Sequence, residues 1–164
     1  MSYPTVDLTK SIEELEGVTW PQPTLQSYVA RTSFELRQKP LRALTDEELR
    51  VGLEQQSGLK YIVPLAIERL RAEPLLEARL YGGDLLDSLL SIPAGFWRSH
   101  PELRHKAEEV VATVVSAWVD LAERGGSWRD EILPGLQESY DRFTGKLASR
   151  PWLRPEEGRA PPLT

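Results

Sequence analysis

Apolar positions recur at three- and four-residue spacing along the chain, separated by polar runs and prolines, and the pattern predicts helices throughout. Ser11 followed by Glu14 has capping-box spacing and opens a short helix that Gly17 closes. Trp20-Pro21-Gln22-Pro23 cannot be helical throughout, because each proline pushes its predecessor toward extended geometry; it reads as a rigid connector. Leu25, Tyr28, Val29, Thr32 and Leu36 predict a helix over 24–38 with one apolar stripe, ended by Lys39-Pro40. Thr45-Asp46-Glu47-Glu48 combines a Thr cap, a Glu three positions later and acids in the first turn, so a helix runs from there to about Ser57. Gly58 breaks or bends it, and Leu59, Ile62, Leu65, Ala66 and Leu70 mark the next helix, with Pro64 near its first turns and Glu73-Pro74 at its end.

Tyr81-Gly82-Gly83-Asp84 is a turn that places Asp84 as N-cap of a helix carrying Leu85, Leu86, Leu89 and Leu90, stopped by Ile92-Pro93. Phe96-Trp97, between two proline-marked breaks, is expected to staple a tight corner into the core. Pro101 suits a first helical position, and the stripe Leu103, Ala107, Val110, Val111, Val114, Val115, Trp118 and Leu121 continues for over five turns. The valines admit a strand over 110–115, but the flanking acids favour a long amphipathic helix. Gly125-Gly126 ends it; Ser127 with Asp130 opens a last helix carrying Ile132, Leu136, Tyr140, Phe143 and Leu147 despite Pro134. The expected fold is all-α: one multi-helix domain over 1–150 of about seven segments, then a flexible Pro-rich tail over 151–164.

Composition narrows the function classes. Among 164 residues, 40% are hydrophobic and 27% charged, an ordinary globular balance, and the absence of cysteine removes disulfides, thiolate nucleophiles and Cys-ligated zinc. The start of the chain lacks a basic and then apolar leader pattern, and no stretch approaches ~18 uninterrupted apolar residues, so a cytoplasmic protein without membrane contact is expected. A net charge of −5 argues against direct nucleic-acid binding and suits a basic partner.

Residues that could carry chemistry are few. His100 and His105 point away from each other on a helix, and Glu102 with His105 forms only one Glu-x-x-His pair where a dinuclear bundle needs two, so no metal is expected. Neither a nucleophile elbow nor a phosphate loop is present, and Gly82-Gly83 is a plain turn. No cofactor, small-molecule substrate or catalytic set is expected. The acids at helix starts, Glu13, Glu14 and Glu16, then Asp46, Glu47 and Glu48, then Asp84 and Asp87, complement the helix dipole. Arg142, Lys146, Arg150 and Arg154 recur every four residues, as a solvated face or as a ridge for an acidic surface. Trp20, Trp97, Trp118 and Trp128 read as packing residues, and Trp152 lies in the tail.

The order of these segments resembles a family of immunity proteins from bacterial contact-dependent growth inhibition (CDI) systems. The resemblance is carried by Leu8 to Gly17 (LTKSIEELEG), Trp20-Pro21, Leu36 to Leu41 (LRQKPL), Leu44 to Arg50 (LTDEELR), Gln55-Gln56 and Gly58 to Ala66 (GLKYIVPLA). Tyr81 to Leu86 (YGGDLL), Ile92-Pro93 to Phe96-Trp97 and His100 to Leu103 (HPEL) complete it, over about residues 8 to 103. Glu73-Pro74-Leu75 stands where the family has Asn-Pro-Leu, and Gln55-Gln56-Ser57-Gly58 varies a glycine placement; both are turns. The resemblance implies an all-helical, non-enzymatic protein that binds and neutralises the C-terminal toxin domain of a cognate effector, often a nuclease. Charge and placement single out Asp46, Glu47, Asp84 and Asp87 as expected partner contacts. Two alternatives stand beside it: a helical adaptor unrelated to toxins, and a small enzyme using carboxylates such as Asp84 with Glu102.

Overall fold

The structure, a computed structural model, describes residues 5–123, 125–126 and 132–145. Within them lie eight α-helices and one 3-10 turn and no strand: α1 (Ile12–Glu16), α2 (Tyr28–Leu36), the 3-10 turn Leu41–Ala43, α3 (Asp46–Glu54), α4 (Leu59–Ala72), α5 (Asp84–Leu90), α6 (Ala94–Ser99), α7 (Pro101–Glu123) and α8 (Leu133–Thr144). The predicted start at Ser127 and Asp130, Leu147, Trp128 and the tail with Trp152 fall outside the described residues.

Helix α3 is the hub, packed on α2, α4 and α5, while α4 also carries α7 and α5 carries α8. Its Leu49, Val51 and Leu53 enter one continuous core with Ile62, Val63, Ala66, Ile67 and Leu70 of α4 and Leu85, Leu86, Leu89 and Leu90 of α5. Two glycines permit this crossing. A Cβ on Gly52 would stand 2.3 Å from Ile62 Cδ1, so α3 and α4 meet at glycine. Gly58 turns the chain between them at φ +63°, and a Cβ there would stand 2.8 Å from Ile12 Cδ1 of α1. Pro64 sits inside α4, which continues through it to Ala72.

Residues 110–115 are helical, on the 23-residue α7, whose Leu103, Ala107, Val110, Val111 and Val114 are buried. Pro134 falls in the first turn of α8, where its missing N–H has no intrahelical partner to lose. The Phe96-Trp97 corner is a short helix, α6, and it does drive Trp97 into the core.

Two expectations are corrected. Helix α2 begins at Tyr28, after Ser27, whose hydroxyl accepts the Ala30 N–H at 3.2 Å, and not at residue 24. Its buried face is Thr32, Ser33 and Leu36, leaving Leu25, Tyr28 and Val29 at the front of the stripe exposed. Trp20, expected to pack inside, is 41% exposed. Among the described residues no helix is long and apolar enough to cross a membrane.

Candidate protein-binding site

The first turn of α3 is built by its cap. The Thr45 hydroxyl accepts the Glu48 N–H at 3.2 Å, and the Glu48 carboxylate accepts the Thr45 N–H at 2.9 Å. Asp46 and Glu47 therefore occupy the two positions before Glu48 and project from the helix start. Asp46 is half-buried and pairs with Arg69 Nε of α4 at 3.1 Å. It stands at the edge of a groove of about 480 Å³ whose lining includes Leu41, Leu44, Leu49 and Leu65.

Glu47 points the other way. Its carboxylate takes two parallel hydrogen bonds from Arg50, Nε to Oε2 at 2.6 Å and Nη2 to Oε1 at 2.8 Å. It also accepts the Tyr28 hydroxyl at 3.1 Å and lies 3.5 Å from Arg79 Nη1. Arg50 is buried and reaches Glu54 through Nη1 at 2.6 Å, and Glu54 in turn accepts the Ser88 hydroxyl at 3.2 Å. Such planar, charge-assisted pairs are the strong kind of hydrogen bond and hold side chains in fixed geometry.

Asp84 is not the N-cap of α5. Gly83, at φ +92°, holds that position, and Asp84 is the first helical residue. Its carboxylate turns back and accepts three backbone N–H groups, from Ala78 at 2.7 Å, Arg79 at 3.0 Å and Leu80 at 2.8 Å. At 2% exposure, with Arg50 Nε 3.9 Å away, it fixes the loop that carries Arg79. Asp87, one turn on, accepts the Tyr81 hydroxyl at 2.5 Å and the Ser139 hydroxyl of α8. Burial, with that carboxylate next, raises the Tyr81 phenol above its ordinary value.

The structure thus brings Glu47 and Asp84 together around Arg50, ties Asp87 to α8, and leaves Asp46 on the groove side. Arg50, Tyr28 and Arg79 are the members that sequence reasoning missed. The Glu47-to-Arg50 and Arg50-to-Glu54 spacings of three and four were a readable signal; the Tyr28 and Arg79 contacts join distant segments and left none.

Among the described residues no group of three or more His, Asp and Glu could hold a metal ion. His100 donates from Nδ1 to the Phe96 carbonyl at 2.9 Å and stacks on the Phe96 ring, and His105 is exposed with Glu109 at 3.5 Å. Arg142 pairs with Glu138, and Lys146, Arg150 and Arg154 lie outside the described residues.

Against known proteins, the family model of the CDI immunity proteins matches residues 14–107, more than half of the chain. The chain belongs to the CDI immunity proteins. Neither a curated protein nor a solved structure matches it. In this immunity protein the matched stretch takes in α2 to α6 whole, with the ends of α1 and the start of α7, and so contains the entire Glu47–Arg50–Asp84 cluster and Asp46 and Asp87.

The hydrogen bonds from Arg50, opposed by partial burial, lower the Glu47 pKa below its ordinary 4.5. A carboxylate depressed in the folded state stabilises the fold above its unfolded pKa and loses that contribution as pH falls through the folded value. Thermal stability of the immunity protein is therefore expected to decline as pH drops below about 4.5. Glu47→Gln should be less stable at neutral pH and show a shallower acid decline by scanning fluorimetry; an equally steep decline would contradict the role given to Glu47.

Proposed function

We propose that this immunity protein binds and neutralises the toxin domain of its cognate CDI effector inside the cell that makes it, and that the toxin is a nuclease. The observation that carries this reading is the family match over residues 14–107. The net charge of −5 supports the nuclease assignment, because a domain that grips a polyanion presents clustered Lys and Arg, toward which an acidic protein is steered.

In this reading the chain covers the toxin's substrate groove over a standard interface of about 1,600 Å², with carboxylates standing in for phosphates. Asp46 faces the partner from the start of α3, while Glu47 acts from behind by fixing Arg50, and Asp84 and Asp87 by holding the 78–81 loop and α8. Asp46 is the cleaner test of the four, since its ion pair with Arg69 is half-exposed and contributes little to the fold.

The test is a titration of the purified toxin domain, with cleavage of RNA and DNA as the readout. Activity should vanish at one equivalent of the protein. Asp46→Lys should associate about tenfold more slowly at low salt, the gap closing as salt rises. A toxin that cleaves neither nucleic acid contradicts the nuclease assignment, and an unchanged association rate removes Asp46 from the contact.

A further inference from the structure

Exposed large apolar side chains are concentrated, among the described residues, in one stretch of the chain. Among the described residues, seven large hydrophobic side chains are exposed, and six of them, Leu8, Val18, Trp20, Leu25, Tyr28 and Val29, fall between residues 8 and 29. Scattered single exposures need no explanation; five within twelve residues, Val18, Trp20 and Leu25 on the 17–27 connector and Tyr28 and Val29 in the first turn of α2, do.

Trp20 is held in its exposed position. Gly17, at φ +67°, ends α1 and turns the chain back, and the Glu13 carboxylate then accepts the Trp20 N–H at 3.0 Å. The indole lies on the Arg37 guanidinium, 4.2 Å from Cζ to the ring centroid. Arg37 is itself fixed: only 1% exposed, it donates to Glu16 at 2.5 Å and to Ser57 at 3.3 Å. Pro21 and Pro23 restrict the connector on the other side. An aromatic side chain ordered before binding loses little entropy on docking, and Trp is among the commonest interface anchors.

The charge around it is mainly acidic; at the α2 end of the stretch Arg79 lies over the Tyr28 ring, 3.9 Å from Cζ to the centroid, and is paired with Glu47 at 3.5 Å. Asp7, Glu13, Glu14 and Glu16 stand against Lys10 alone in this part of the chain. Glu13 and Glu14 are oriented by backbone N–H groups, of Trp20 at 3.0 Å and of Ser11 at 2.7 Å. Arg37, beneath Trp20, is buried and paired with Glu16.

We propose that the face formed by α1, the 17–27 connector and the first turn of α2 is where the toxin domain docks, with Trp20 as its anchor and the α1 carboxylates meeting the toxin's cationic groove. The proposal rests on the immunity reading above and adds the surface that performs it.

The experiment measures the affinity of the full chain and of two variants for the purified cognate toxin domain by calorimetry. Trp20→Ala should bind about thirtyfold more weakly, the loss that defines an interface hot spot. Val18→Arg, at a side chain 51% exposed, sets a cation against the toxin's cations and should bind at least about tenfold more weakly. If Trp20→Ala proves less stable than the wild type, Val18→Arg decides alone. Wild-type binding with both variants within about threefold of it overturns the face and leaves the immunity reading standing. A wild-type chain that does not bind overturns the immunity reading and the face with it. Wild-type self-association that Trp20→Ala abolishes, at unchanged toxin affinity, assigns the face to a second copy of the chain and overturns the proposal.

Discussion

Trp97→Ala is expected to destabilise the protein by about 3–5 kcal/mol. Trp97 is the largest fully buried side chain among the described residues, and it meets Phe96 edge-on at 5.4 Å and Phe143 of α8 at 5.3 Å. Truncation to Ala removes both ring contacts and leaves a cavity in a close-packed core between Phe96 of α6 and Phe143 of α8. The indole N–H is buried and has no acceptor among the described residues. Trp97→Phe keeps a ring in place and removes that unpaired donor, so its cost should stay below about 1.5 kcal/mol. Urea unfolding measures both; an alanine variant within about 1 kcal/mol of the wild type would contradict the core assignment.

The second large effect is expected at Asp84. Replacing it with Ala leaves the N–H groups of Ala78, Arg79 and Leu80 without their acceptor and takes a buried carboxylate from beside Arg50, a loss of about 3 kcal/mol. Asp84→Asn retains one accepting oxygen but turns an NH2 donor toward backbone donors, so it should fall between. Hydrogen exchange adds a local readout, with protection at residues 78–80 lost in the Ala variant. Unchanged exchange there, with unchanged stability, would show that the loop holds itself.

Much of the fold was legible because its signals are local. Both capping boxes, Ser11 with Glu14 and Thr45 with Glu48, form as their spacing predicts, and Gly17 and Gly58 adopt the left-handed conformation that ends or starts a helix. The apolar period of α4 and α7 placed those helices to within a residue or two. Where reading failed, a partner distant in sequence decided the outcome. The residue after Gly82-Gly83 resembles an N-cap in any local window, yet its carboxylate is claimed by N–H groups four to six positions upstream. Leu25, Tyr28 and Val29 share a face with Thr32 and Leu36 by period, but burial is confined to the second half of α2. Trp20 likewise has the composition of a core residue and a position over buried Arg37, at the surface.

The candidate site divides the same way. Acids at helix starts were visible as charge, and their first-turn positions are observed. That Glu47 and Asp84 converge on one arginine, while Asp46 faces a separate groove, depends on how α4 and α5 pack against α3, which no linear pattern encodes.

The most direct measurement is survival of cells that express the cognate toxin domain, with and without this protein, together with affinity purification of the toxin. Survival only when the protein is present, and a one-to-one complex recovered from those cells, is the expected result. Death of cells that contain the folded protein, with no toxin bound to it, would contradict the claim that it neutralises its toxin by binding.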